Sequence, residues 1–294
     1  RAFVAQGLKV MARRANIGMA ALIDASRLKA APQCHDCGFA LGPRINAGGR
    51  VGEASLGVRL LTTDNPDEAR EIAAQLSQLN EERRGIEAMV QQAAEEQLAA
   101  QHNRAVICVA GSGWHPGVIG IVAGRIKEKT GKPALVIALD AATGQGKGSG
   151  RSISGVDLGA AIIAAREAGL LVAGGGHAMA AGLTVEAERL EELAGWLEER
   201  LAPAVARASE GQSLLLDLAL APGGLVPQLV EVLDGAGPFG VGWPGPRVVV
   251  GPVRQRTRPD RSRRSAWRAP TTSRPWWVGW VTLSPPARST TRAG

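Results

Sequence analysis

AVICVAGSGWHPGVIGIVAGRIKEKTGKPALVIAL, residues 105–139, reads as strand, helix, strand. Ala105–Ala110 is an apolar run of strand length. Pro116 suits the first turn of a helix and Gly131 suits its end, which predicts a helix over Pro116–Lys129. Pro133–Leu139 is a second apolar run. Downstream, Gly146–Ile153 reads as a third strand and Leu158–Ala168 as a helix. Leu170–Val172 and Leu183–Val185 bracket a glycine-rich loop, and Glu186–Leu201 is an amphipathic helix. Strands alternating with helices argue for an α/β domain of roughly 95 residues, within the usual size. Pro203–Gly211 reads as a linker. Leu214–Val250 opens another unit: a strand, a short helix over Leu225–Leu233, a Gly/Pro turn and a strand at Arg247–Val250.

Upstream of the opening stretch lies the clearest helix. Asn65 is a good N-cap, Pro66 suits the first helical position, and Glu68 completes a capping-box pattern. Apolar residues recur at helical spacing from Ala69 to Ala93, with no breaker until about His102 except Gly85. A helix of about 35 residues is roughly three times the usual length and reads as an interdomain connector. Residues 32–65 look loop-rich, and residues 1–30 look helical.

The chain has 294 residues, 45% of them hydrophobic, enough for more than one buried core. No apolar run reaches the roughly 18 residues of a membrane span, and no signal peptide is evident. The first residue is an arginine, so the N-terminus reads as cut. Three cysteines, Cys34, Cys37 and Cys108, fit a reducing cytoplasm. The formal charge of +7 is unevenly placed. Residues 251–294 hold ten Arg and one acid, Asp260, while residues 1–250 carry 24 basic and 26 acidic groups. That tail also holds four of the seven Trp and six of the 17 Pro, with neither a helical nor a strand period. It reads as a flexible Arg/Trp arm for nucleic acid or, better matching the abrupt change near Arg254, as a frameshifted or disordered segment.

Three loops have the composition of anion sites. Gly174-Gly175-Gly176-His177-Ala178-Met179-Ala180-Ala181-Gly182 places an imidazole in a backbone nearly free of side chains. Such a backbone can aim N–H groups at a phosphate, and a helix beginning at Ala178 would add its dipole. The alternative is a tight turn. Gly42-Pro43-Arg44-Ile45-Asn46-Ala47-Gly48-Gly49-Arg50 offers Arg44 and Arg50 as guanidinium forks and Asn46 as an amide, or is a solvated turn. Gly146-Lys147-Gly148-Ser149-Gly150-Arg151-Ser152 lacks Walker spacing, but Arg151 with Ser149 or Ser152 suits one phosphate of a nucleic-acid backbone. Gly113–Gly120 joins a strand to a helix, with Trp114 and His115 read as packing and structural residues. Cys34-His35-Asp36-Cys37 supplies too few ligands for zinc, and no second pair follows. Paired carboxylates or Asp/His clusters for a two-metal hydrolase are missing from the sequence.

Taken in order, the motifs at 42–50, 113–123, 148–152 and 175–182 resemble those of the RecJ-type single-stranded-DNA-specific exonucleases, in the DHH phosphoesterase superfamily. The resemblance covers residues 1 to about 250. It implies a C-terminal remnant of the DHH domain at 1–64, a connecting helix at 65–102, and a DHH-associated domain at 103–203. That domain would have a mixed sheet flanked by helices, followed by the start of an OB-like β unit at 212–250 and the tail at 251–294. It implies a 5′-to-3′ exonuclease of recombination and repair that uses Mn²⁺ or Mg²⁺. By motif, Arg44, Asn46 and Arg50 would contact DNA, and Ser149, Arg151 and Ser152 would bind backbone or terminal phosphate. Gly175 and Gly176 would present backbone, and His177 would lie close to the scissile phosphate as the catalytic residue. The family's metal motifs precede Arg1 in its layout, so the chain alone is expected to hold no metal and to be inactive. Single-strand-binding protein and a helicase are partners by family. A non-catalytic single-strand-binding module and a DHH phosphoesterase acting on short oligonucleotides remain as alternatives.

Overall fold

The computed structural model describes residues 1–210, 214–240 and 242–250. Contacts divide them into two units, Val10–Ser213 and a second that joins Arg1–Lys9 to the described residues from Leu214 onward. The arginine-rich tail lies outside the described residues.

The first half is helical: α1 (Ala2–Ala12), α2 (Ile17–Ala25), α3 (Cys34–Asp36), a π-helical turn (Cys37–Leu41), α4 (Gly42–Val51), α5 (Leu56–Thr62) and α6 (Pro66–Leu98). Asn16 caps α2 by accepting from Met19 N–H at 2.7 Å. Asn65 caps α6 by accepting from Asp67 and Glu68 N–H. The capping box itself does not form. Glu68 turns instead to Thr63 and Arg59, and the Asn65 N–H donates to Thr63 Oγ1 at 3.1 Å.

Residues 42–50 are helix rather than loop. Pro43 sits in the first turn, where its missing N–H costs nothing. Ala47 and Gly48 are buried, and the Gly48 α-carbon lies close to Leu76 of α6. Tertiary packing of a small-residue face overrides the poor helix propensity of three glycines.

The second half builds a five-stranded sheet in the order β1-β2-β3-β5-β4. Its strands are β1 (Ile107–Ser112), β2 (Ala134–Asp140), β3 (Gln145–Arg151), β4 (Ala173–His177) and β5 (Ala180–Glu186). Only β1 and β2 pair parallel; the remaining pairs are antiparallel, which makes the sheet mixed. Helix α7 (Pro116–Thr130) makes the crossover between β1 and β2, ending at Gly131 with φ +67. Helices α8 (Leu158–Glu167) and α9 (Leu190–Glu210) cover the opposite face.

The strand period decides which side chain goes where. On β2, Ala134, Val136 and Ala138 pack against α7 and the end of α6, while Leu135 and Ile137 pack with Leu158, Ile162, Leu193 and Leu197. A separate cluster joins Leu22, Leu41, Leu56, Leu60, Ile72 and Leu76. Helix α6 therefore contributes its first turns to one core and its last turns, through Val90 and Ala94, to another. The free edge of β1 is closed by two glutamine amides that mimic a strand. Gln97 exchanges bonds with the backbone of Ala110, and Gln101 with that of Cys108. The Glu198 carboxylate accepts from Ala105 and Val106 N–H at the strand's entrance.

No helix begins at Ala178: Gly174–His177 is strand, and Ala178-Met179 is the turn of a β4–β5 hairpin. Nor is Pro203–Gly211 a linker up to residue 210, because α9 runs through Pro203 to Glu210. Pro203 and Glu199, the residue whose carbonyl loses its donor, are both exposed, while buried Leu201 and Val205 hold the helix on the sheet.

In the second unit, β6 (Leu218–Leu220) and β7 (Val248–Val250) pair parallel around α10 (Pro227–Gly235). No described helix is long and apolar enough to cross a membrane.

Candidate phosphate-binding groove

Three of the quoted motifs converge where the start of α7 lies over the sheet. On β3, Lys147, Ser149 and Arg151 alternate toward α7 while Gly146, Gly148 and Gly150 are buried toward the other side. Gly120 of α7 lies directly over them: a Cβ there would sit 2.9 Å from Ser149 Oγ and 3.0 Å from an Arg151 nitrogen. Arg151 Nη1 donates to Ser149 Oγ at 3.2 Å and to Gly150 O at 2.8 Å. From α4, Arg50 Nη1 reaches Gly117 O at 3.0 Å.

The charges are uncompensated. Burial first, and the positive charge of Arg50 second, push the Arg151 guanidinium below its usual range. Among the described residues neither arginine makes a salt bridge. Two cations held within each other's field, with neutral partners only, form a site that an anion would stabilise.

The floor beside them is bare. Ser149 pairs with Gly182 and Gly182 with Gly175, so these three form one row across the sheet. A Cβ on Gly175 or Gly182 would meet nothing within 4 Å, and neither has a left-handed φ. The fold does not require glycine at either place, whereas Gly176 is required, since a Cβ there would run into Ala180 O. Glycines that leave open space over a cationic rim suit the close approach of a sugar–phosphate backbone.

His177 lies in the row Arg151, Ala180, His177. Two strand spacings put it about 10 Å from Arg151 along the sheet, on the same face. It is exposed, and its Nδ1 accepts from Met179 N–H at 3.3 Å. In the neutral ring that leaves the proton on Nε2, free to donate. Ser152 does not join the groove: it is 1% exposed and its hydroxyl donates to Val156 O at 2.7 Å inside a turn. Arg44 also points elsewhere. It donates to Ala40 O at 2.8 Å and Ser77 Oγ at 3.3 Å, and burial lowers its pKa. Asn46 is exposed on α4 beside it.

His115 accepts from Gly117 N–H through Nδ1 at 3.0 Å and so caps α7. Trp114 packs against Gly111 and the core beneath. Cys34 and Cys37 are free thiols, and burial with the nearby Cys34 raises the Cys37 pKa. Sequence reasoning missed Lys147 and Gly182. The period of two along Lys147, Ser149 and Arg151 was the signal for the first.

Residues 102–202 match the DHHA1 domain model. Across 259 residues the chain is 39% identical to the single-stranded-DNA-specific exonuclease RecJ of Dickeya dadantii, covering 84% of this chain and 44% of that protein. The chain is RecJ-like. The crystal structure of Thermus thermophilus RecJ in complex with Mn²⁺ superposes with a TM-score of 0.71 at 30% identity. It covers 85% of this RecJ-like chain and 36% of the Thermus chain. The Mg²⁺ complex of the same protein gives 0.67 at 30% identity, covering 82% and 36%. The chain thus spans less than half the length of each of these RecJ chains.

Proposed function

We propose that the chain acts within a metal-dependent 5′-to-3′ exonuclease on single-stranded DNA, and that residues 103–203 grip the strand. The observation that carries this reading is the unpaired Arg50 and Arg151 beside the bare Ser149–Gly182–Gly175 row. In this reading Arg151 and Ser149 hold one phosphate, backbone or terminal, and Arg50 shares its charge. Gly175 and Gly182 let the backbone lie on the sheet. His177 donates from Nε2 to a phosphate oxygen near the bond to be cut. Residues 65–102 fix α7 and α4 at the two sides of the groove.

The similar RecJ structures contain Mn²⁺ or Mg²⁺. Among the described residues no three of His, Cys, Asp or Glu come together as a donor set, so they do not fit such an ion. The part derived for this chain is therefore binding and orientation of the strand, with no step through a metal.

The test is the salt dependence of binding to a fluorescent oligothymidylate. Removing one phosphate-neutralising cation from a single-strand site flattens the slope of log K against log salt by about 0.7. Arg151→Ala in the full chain is expected to show that change, with its far-ultraviolet circular dichroism preserved. An unchanged slope removes Arg151 from the site and this reading with it.

A further inference from the structure

A second cleft lies between α4, α6 and α7, beyond Arg50. Five guanidiniums line it, those of Arg44, Arg50, Arg83, Arg84 and Arg125, against the single carboxylate of Glu87. That carboxylate is already taken: Glu87 is buried and ion-paired with both Arg83 and Arg125. The excess charge rests on Arg44, Arg50 and Arg84. Arg44 hydrogen-bonds neutral groups and Arg50 a carbonyl oxygen; the carboxylate in the field of both Arg44 and Arg84 is Glu81, 3.5 Å from Arg84, and that pair is exposed to water. An exposed pair of that kind neutralises little.

The mouth of the same cleft carries an aromatic platform. Phe39 lines the cleft and is 75% exposed. Its ring stacks on His35 with centroids 4.6 Å apart and planes 24° from parallel. One face of Phe39 is thereby covered by His35, four residues earlier, and the side chain is otherwise exposed. A large exposed aromatic beside a cluster of arginines in excess over carboxylates combines the two elements of sequence-tolerant single-strand binding, stacking and charge.

We propose that this cleft is a second subsite for single-stranded nucleic acid, in which a base stacks on Phe39 while Arg44 and Arg84 bind the adjoining phosphates. Arg50 borders both sites, so one strand crosses from the β3 groove past Arg50 into the cleft. The proposal rests on the reading of the groove as a strand-binding site. It adds Phe39 and Arg84 to the strand's path and gives the partly buried Arg44, already expected from its motif to contact DNA, a place on it.

The experiment uses the full chain with a fluorescent dodecathymidylate over a salt series, comparing Phe39→Ala and Arg84→Gln with the parent. Cations elsewhere in the chain are common to all three and drop out of the differences. Phe39→Ala is expected to weaken binding roughly tenfold with an unchanged salt slope. Arg84→Gln is expected to flatten the slope by about 0.7. Either variant matching the parent in both affinity and slope overturns the proposal. The unaltered chain supplies a check free of folding effects. Photo-crosslinking to a 5-iodouracil oligonucleotide is expected to label the peptide holding Phe39, and labelling confined to other peptides overturns the subsite. Failure of the groove itself shows separately, as an unchanged slope in Arg151→Ala.

Discussion

Arg50 and Gly117 are joined twice. Arg50 Nη1 donates to Gly117 O at 3.0 Å, and the Gly117 α-carbon lies so close to the Arg50 carbonyl oxygen that a Cβ would overlap it. One residue belongs to α4, which packs on the first core, and the other to the start of α7 over the sheet. This contact holds the cationic rim of the groove together.

Gly117→Ala tests that contact by its sign. Helix propensity alone favours alanine by about 1 kcal/mol. Overlap with a backbone oxygen, which cannot move aside like a flexible side chain, reverses this to a loss of about 1–3 kcal/mol. Urea unfolding followed by circular dichroism reads the difference; a variant as stable as the parent shows that α4 and α7 can separate freely.

Gly182→Val separates folding from binding. Its Cβ would meet nothing within 4 Å, and Gly182 is paired in the middle of the sheet. Stability is expected to hold or to rise by up to about 1 kcal/mol, as the unfolded chain loses freedom. Single-strand binding is expected to fall at least about tenfold, the worth of one lost charge-assisted contact. A folded variant that binds like the parent shows that the bare floor serves no ligand.

Glu87→Gln examines the buried carboxylate between Arg83 and Arg125. Losing the negative charge leaves Arg83, whose side chain is 11% exposed, beside Arg125 without compensation. The expected cost is about 3 kcal/mol, at the lower end for a buried pair because Arg125 is half exposed. Thermal melting measures it, and a melting temperature unchanged in the variant disposes of the idea that this pair fastens α6 to α7.

Cys108 gives a pH signature. Burial, with the nearby Glu198 charge second, pushes its thiol up to about 12 from the usual value near 9. Between those values the unfolded chain loses the thiol proton more readily than the folded one. The contribution is therefore complete below about pH 9 and declines as pH rises toward 12, by up to about 1.4 kcal/mol per pH unit. Cys108→Ala is expected to lose less stability than the parent between pH 9 and 10.5 in urea melts. At pH 8 a thiol reagent is expected to modify Cys108 much more slowly in the folded chain than in urea, because the thiolate is the reacting form.

The parts of the fold legible in the sequence are those where local signals and tertiary packing agree. Asn65-Pro66 begins α6, Pro116 begins α7 and Gly131 ends it, each at the residue its chemistry predicts. Where the two disagree, composition misled. Glycines at 42–49 and 174–176 read as loop, yet the first set packs against α6 and the second pairs in a sheet. Pro203 reads as a stop, yet it lies on the exposed side of α9, which continues to Glu210. For the site, residue types were legible and their partners were not. Arg151 and Ser149 stay together because they alternate on one strand, while Ser152, the next residue along, turns inward. That Arg50 rather than Arg44 reaches α7 depends on the packing of α4 against α6, which spacing along the chain does not encode.

The single rod of α6 sets a rotational phase for everything attached to it. At 1.5 Å and 100° per residue, its 33 residues make a shaft of about 50 Å with one core wound on each end. Inserting one residue between Leu79 and Glu87 would lengthen it little but swing α7 and the sheet by about 100° relative to α4. Arg50 and Arg151 would then face different directions. Seven residues would restore the facing but add about 10 Å, which parts Arg50 from Gly117, so relatives that keep this rim should keep the length of this helix.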